Sequence, residues 1–143
     1  MRNATVTTVL DAPQRAVFDF MAEIENLPAW ATEFARELKR DADGYSVVNG
    51  LGEFRFDIRA DCDTGVIDMY PGPDRERMAV FPTRAVALPD GRTAYSFTMF
   101  QGPEMSDELF EAQHASLRRE FENIEAIFRA DCAPPGREPR RRA

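Results

Sequence analysis

From Phe110 to Phe128 the residues Phe110, His114, Leu117, Phe121, Ile124 and Phe128 recur in alternating steps of four and three. That spacing draws one stripe along an α-helix. Met105-Ser106-Asp107-Glu108-Leu109-Phe110 signals its start. Ser106 is a capping residue, two acids occupy the first turn where the helix dipole favours them, and Met105 and Phe110 are spaced to staple the entry. Pro134-Pro135 marks its expected end. A helix of about 22 residues is roughly 33 Å long at about 1.5 Å per residue. A stripe of that length must be buried against something, and the rest of the chain decides what.

The rest reads as strand. Thr5 to Leu10 is β-branched and runs into Asp11-Ala12-Pro13, where proline suits a first helical turn. Val17, Phe20, Met21 and Ile24 then keep helical spacing until Asn26-Leu27-Pro28, and Ala29-Trp30-Ala31 opens a second short helical turn. Beyond it a meander is expected: Phe34 to Arg40, Tyr45 to Val48 closing on the hairpin signal Asn49-Gly50, and then Phe54 to Ala60. In the last of these Phe54, Phe56, Ile58 and Ala60 alternate with Arg55, Asp57, Arg59 and Asp61, so one face is buried and the other wet. Val66 to Tyr70, Met78 to Leu88 and Thr93 to Phe100 complete it, and Pro82 demotes its strand to an edge or a bulge.

Seven antiparallel strands with one apolar face need a cover, and the final helix is the only element long enough. A twisted sheet curved around a single helix cannot match it along its whole length. The mismatch predicts an enclosed pocket with the short helices and hairpin loops at its mouth, and with adaptable Phe and Met walls.

Composition narrows the partners. The 143 residues fit one domain, and eleven Phe among 43% hydrophobic residues support a real core. A formal net charge of −7 opposes binding to nucleic acid or to an anionic membrane. The tail sets Arg137, Arg140, Arg141 and Arg142 against Glu138, beside Pro134, Pro135 and Pro139, so the body is more acidic than the whole. Residues 1–132 are therefore read as one domain and 133–143 as a disordered basic Pro/Arg tail. Cys62 and Cys132 stand far apart in no metal-like spacing, which predicts reduced thiols in the cytoplasm. No secretory leader and no apolar run long enough to span a bilayer is read in the chain, so no membrane insertion is expected.

Several segments together resemble the START-like, or SRPBCC, superfamily, which has the helix-grip fold and includes bacterial polyketide cyclase/dehydrase-type proteins. They are Val9-Leu10-Asp11-Ala12-Pro13 with Val17-Phe18, Ile24 through Trp30, Gly65-Val66-Ile67-Asp68, and Phe97 to Phe100 followed by Pro103 through Glu108. The resemblance covers about residues 3–130. It implies an α+β helix-grip domain: a seven-stranded curved antiparallel sheet wrapped around a long C-terminal helix, with two short helices after the first strand. Its members range from lipid carriers and hormone receptors to cyclases, so it implies a cavity more firmly than a reaction.

His114, the only histidine, is the candidate catalytic residue, because in the resembled fold the apolar face of the closing helix lines the cavity. The alternative is a histidine that caps the core and is satisfied by a carbonyl or water. Trp30 near the mouth can stack on a planar ligand or simply pack. Tyr95 shares a strand face with Phe97 and Met99 and offers a hydroxyl, and Arg84, where alternation is disturbed, would bind a carboxylate or enolate if it points inward. The full candidate lining is Trp30, Phe54, Phe56, Ile58, Arg84 and Tyr95 from the first part of the chain, with Phe97, Met99, Phe110, His114, Leu117 and Phe121 from the end.

Asp61 and Asp63 around Cys62 read as turn formers rather than metal ligands. Gly50-Leu51-Gly52 lacks the lysine and helix of a phosphate loop. No nucleophile is placed beside His114 for a triad. The expected function is binding of a small hydrophobic or aromatic molecule without metal or organic cofactor, by a monomer or homodimer. The alternative is a cyclase or dehydratase acting by proton transfer on a polyketide-like substrate, and a third reading is a protein-interaction module.

Overall fold

A computed structural model describes residues 1–129; Cys132, Pro134-Pro135 and the arginine-rich tail lie outside them. The elements in order are β1 (Asn3–Leu10), α1 (Gln14–Met21), a 3-10 turn (Ile24–Asn26), α2 (Leu27–Trp30), β2 (Glu37–Asp41), β3 (Gly44–Asn49), β4 (Gly52–Asp61), β5 (Val66–Gly72), β6 (Thr83–Ala87), β7 (Thr93–Phe100) and α3 (Asp107–Ile127). All seven strands form one antiparallel sheet in the order β1-β7-β6-β5-β4-β3-β2. This is the expected helix-grip architecture, with α3 against the concave face and two short helices after β1.

Boundaries differ where backbone groups need partners. α1 ends at Met21, Ile24 falls in the 3-10 turn, and Pro28 stands in the first turn of α2 instead of breaking a helix. The second strand begins at Glu37, because Thr32 to Arg36 forms an irregular segment. The sixth begins at Thr83 and is interior, between β5 and β7. Pro82 lacks an N–H and interrupts the β5–β6 ladder, which keeps only the pair Val66↔Arg84 and an isolated bridge Met69↔Phe81. Asp68 repairs part of the gap by accepting the Thr83 N–H at 3.2 Å. Gly65 makes the nearby crossing feasible: its φ is +77° and a Cβ there would lie 2.2 Å from the Ala85 carbonyl oxygen.

β4 alternates as its pattern requires from Phe54 to Arg59, whereas Ala60, expected on the buried face, is exposed at the strand's end. Phe56 is buried, Phe54 and Ile58 are half-buried, and Asp57 and Arg59 are exposed. On the outer face Arg55 lies flat across the sheet, donating to Asp41 at 2.8 Å and to Ser46 Oγ at 3.1 Å. Arg59 covers the Tyr70 ring.

α3 starts where the cap predicts, with Ser106 Oγ accepting the Leu109 N–H at 3.1 Å. Its apolar stripe packs toward the β1–β7 side. Phe121 meets Tyr95 at 5.6 Å between ring centroids, Phe110 lies under the Arg2 guanidinium, and Glu125 accepts from Thr8. Arg2 also pairs with Glu111, so the N-terminal strand and the helix are tied at both ends.

Tyr95 is fully buried, and its hydroxyl has no hydrogen-bond partner among the described residues. Burial alone pushes this phenol far above its ordinary range. An unsatisfied buried hydroxyl costs about 1–3 kcal/mol. Tyr95→Phe is therefore expected to raise the urea midpoint of unfolding with no change in slope, and a lowered midpoint would show that the hydroxyl has a partner.

Candidate functional site

Between the sheet and α3 lies a cavity of about 440 Å³. Its floor is the concave sheet face: Phe56 of β4, Met69 of β5, Phe81 at the interrupted ladder, and Phe97 and Met99 of β7. Leu27, Trp30, Ala31 and Phe34 form the side wall. The aromatic rings interlock, edge to face in every pair but the tilted Phe81–Phe97. Trp30 meets Phe97 at 6.3 Å, Phe34 meets Phe56 at 5.5 Å and Phe81 at 6.1 Å, and Phe81 lies 4.9 Å from Phe97.

The roof is not the apolar stripe of α3. It is the flank beside it, Leu109, Ala112, Gln113, Ser116 and Glu120, with Leu117 shared by both faces. The stripe is filled by sheet side chains, and the small Ala112 and Ser116 leave the adjacent flank without enough volume to meet the sheet. Ala112, Ser116 and Glu120 follow steps of four, which is the signal in the sequence that marks this second line.

Glu120 is the residue that sequence patterning passes over. It is 3% exposed although it belongs to no apolar stripe. Its Oε2 accepts the backbone N–H groups of Glu33 and Phe34, each at 2.9 Å. The irregular segment 32–36 has no ladder to satisfy those donors, so a side chain from α3 reaches across to do it. Asn123, one turn on, donates to the Trp30 carbonyl at 2.9 Å, and Asn49 donates to the Phe34 carbonyl at 2.8 Å. Burial raises the Glu120 carboxyl above the usual glutamate range, and the two amide donors oppose that shift.

The mouth is polar. Arg119 holds Glu33 through two hydrogen bonds of 2.7 and 2.9 Å, which keeps the Glu33 carboxyl below its ordinary range. Arg36 approaches Gly50 at the β3–β4 turn, and Leu51 at its tip is 60% exposed. Asn49 and Gly50 complete the rim.

Of the expected lining, Trp30, Phe56, Phe97, Met99 and Leu117 border the cavity together. Phe54 and Ile58 lie on the same strand as Phe56 but outside the cavity wall. Tyr95 and Phe121 are sealed in the core beside each other. Phe110 and His114 sit near the N-terminal end of α3, 6.4 Å apart, with His114 half-buried and outside the cavity wall. Arg84 points outward and donates to the Thr64 carbonyl at 2.8 Å. Among the described residues no three His, Cys, Asp or Glu side chains are grouped to hold a metal, and no helix is long and apolar enough to cross a membrane.

No protein-family model and no curated protein matches this sequence. Solved structures do match in fold. XoxI from Bacillus cereus has a TM-score of 0.69 at 12% identity, covering 90% of this chain and 96% of that one. The Zhui aromatase/cyclase from a Streptomyces species has a TM-score of 0.61 at 17% identity, covering 86% of this chain and 88% of that one. A START superfamily protein from Mycobacterium smegmatis has a TM-score of 0.61 at 13% identity, covering 88% and 96%. The chain thus has the helix-grip fold, which it shares with the Zhui aromatase/cyclase and with the START superfamily protein.

Two outcomes follow from the geometry. Phe56→Ala should destabilise by less than the about 3–5 kcal/mol usual for a fully packed phenylalanine, because one side of its ring already borders a void; denaturant titration reads the difference. Glu120 binds its proton more tightly folded than unfolded, so it favours folding below the ordinary glutamate pKa and loses that contribution as pH rises through its raised value. The stability of wild type relative to Glu120→Gln should accordingly decline with rising pH across that window, and a difference independent of pH would contradict the raised carboxyl.

Proposed function

We propose that this chain binds a small, largely apolar, ring-bearing molecule in the cavity between sheet and α3. The observation that carries this reading is an aromatic-walled space of about 440 Å³ with polar groups confined to its rim and to Gln113, Ser116 and Glu120 of its roof. That volume falls within the about 300–1,000 Å³ of small-molecule sites. Trp30, Phe56, Phe97, Met99 and Leu117 would contact the ligand. We take the protein to act without a metal or organic cofactor, as a monomer or homodimer in the reducing cytoplasm; two cysteines far apart in the sequence, and no disulfide framework, support the last point.

A second reading is favoured by Glu120. A buried carboxyl with a raised pKa in a cavity wall is suited to proton transfer, as a cofactor-independent cyclase or dehydratase acting on a polyketide-like substrate requires. In that reading Glu120 has the better position than His114, whose ring borders Phe110 and not the cavity.

The sole tryptophan reports on both. Titration with planar aromatic compounds should change Trp30 emission saturably. Ser116→Leu places a larger helix-forming side chain in the roof. It should weaken binding by about tenfold or more, equivalent to about 1.4 kcal/mol, while the thermal midpoint holds or rises. Unaltered affinity in that variant would remove the cavity as the binding site. Recovery of the compound unchanged after incubation favours the carrier; a cyclised or dehydrated product favours the enzyme.

A further inference from the structure

We propose that the ligand of this cavity carries a protonated amine on its apolar, ring-bearing body, and that Glu120 is the group that receives it. The inference rests on the reading of the cavity as a small-molecule site and names the chemistry that site selects.

Glu120 is nearly sealed from water, yet only one of its oxygens has protein partners. Oε2 takes both backbone N–H groups, whereas Oε1 accepts no hydrogen bond among the described residues. Oε1 is also absent from the fully enclosed, unpartnered side-chain atoms of the described residues, of which Tyr95 Oη is the sole example. Glu120 lines the cavity, and in this proposal its unused Oε1 lies at that open space. A buried carboxylate with an unused acceptor is stabilised most by a donor that also carries positive charge.

The other walls favour the same partner. Trp30, Phe34, Phe56, Phe81 and Phe97 surround the space, and aromatic faces attract ammonium groups. The remaining charged groups of the cavity wall are Glu33, Arg36 and Arg119. Arg119 is engaged by Glu33, and neither arginine donates to Glu120 among the described residues. An anionic ligand would meet Glu120 at close range in a medium of low dielectric, where repulsion between like charges is strong. The acidic body adds a weaker, longer-range preference of the same sign.

The test compares three probes of nearly one shape: naphthylmethylammonium, ethylnaphthalene and naphthoate. Affinities are read from Trp30 fluorescence at about pH 8 and about pH 5. At the higher pH the ammonium probe should bind about tenfold or more tightly than ethylnaphthalene, and naphthoate should bind weakest. The ammonium advantage should shrink at the lower pH as Glu120 takes up a proton, and Glu120→Gln should collapse it. Should that variant fail to fold, wild-type calorimetry decides: in the pH range where Glu120 is partly protonated, ammonium binding should release protons, seen as a dependence of the heat on the buffer. The proposal is overturned if ammonium and ethylnaphthalene bind equally at the higher pH, if naphthoate binds best, or if the preference survives in Glu120→Gln. Ethylnaphthalene binding without an ammonium advantage sinks this inference alone. Binding by none of the three sinks the cavity reading together with it.

Discussion

One helix has one apolar stripe, and here that stripe must cover a sheet of seven strands. α3 meets the demand on the side of β1 and β7, where Phe110, Leu117, Phe121 and Ile124 are buried. The other side of the sheet is left with a concave aromatic surface and no helix to fill it. Segment 32–36 and α2 close over part of that surface, and their closure depends on polar bonds from α3, made by Glu120 and Asn123. Hydrophobic packing thus sets the fold, while a few hydrogen bonds set the shape of the space that packing leaves behind.

That division explains what the sequence makes legible. The alternation from Phe54 to Arg59, the hairpin after β3 and the Ser106 cap each specify an element through local chemistry. Each appears in the structure, although Asn49 stays in β3 paired with Gly52 and the loop is Gly50-Leu51. The seven-strand count and the closing helix follow from them. Strand ends are less legible because they depend on distant partners: Phe34 would extend β2, but its N–H goes to Glu120 and its carbonyl to Asn49.

The cavity wall was legible only in part, for a related reason. Apolar periodicity reports which side chains are packed, and a cavity lies where packing is absent. Tyr95 and Phe121 share the most apolar faces of their elements, and they fill the core beside each other. Ala112, Ser116 and Glu120 belong to no apolar stripe, yet they roof the void. Arg84 has its guanidinium at the Thr64 carbonyl on the outside, a choice that alternation near Pro82 leaves undecided.

Pro82 has a consequence for the floor of the cavity. With so little ladder between β5 and β6, the sheet is two panels joined along a seam: β2 to β5 on one side, β6, β7 and β1 on the other. Phe56 and Met69 belong to the first panel, Phe97 and Met99 to the second, and Phe81 sits on the spine. Met69, Pro71 and Gly65 keep backbone hydrogen bonds with Phe81, Ala79 and Ala85 on either side of the break at Pro82, and such a break is where a sheet bends at least cost. Under the proposed reading, the girth of a guest would register as an angle between the boards of a half-open book, and fit would become a matter of how far the covers must part.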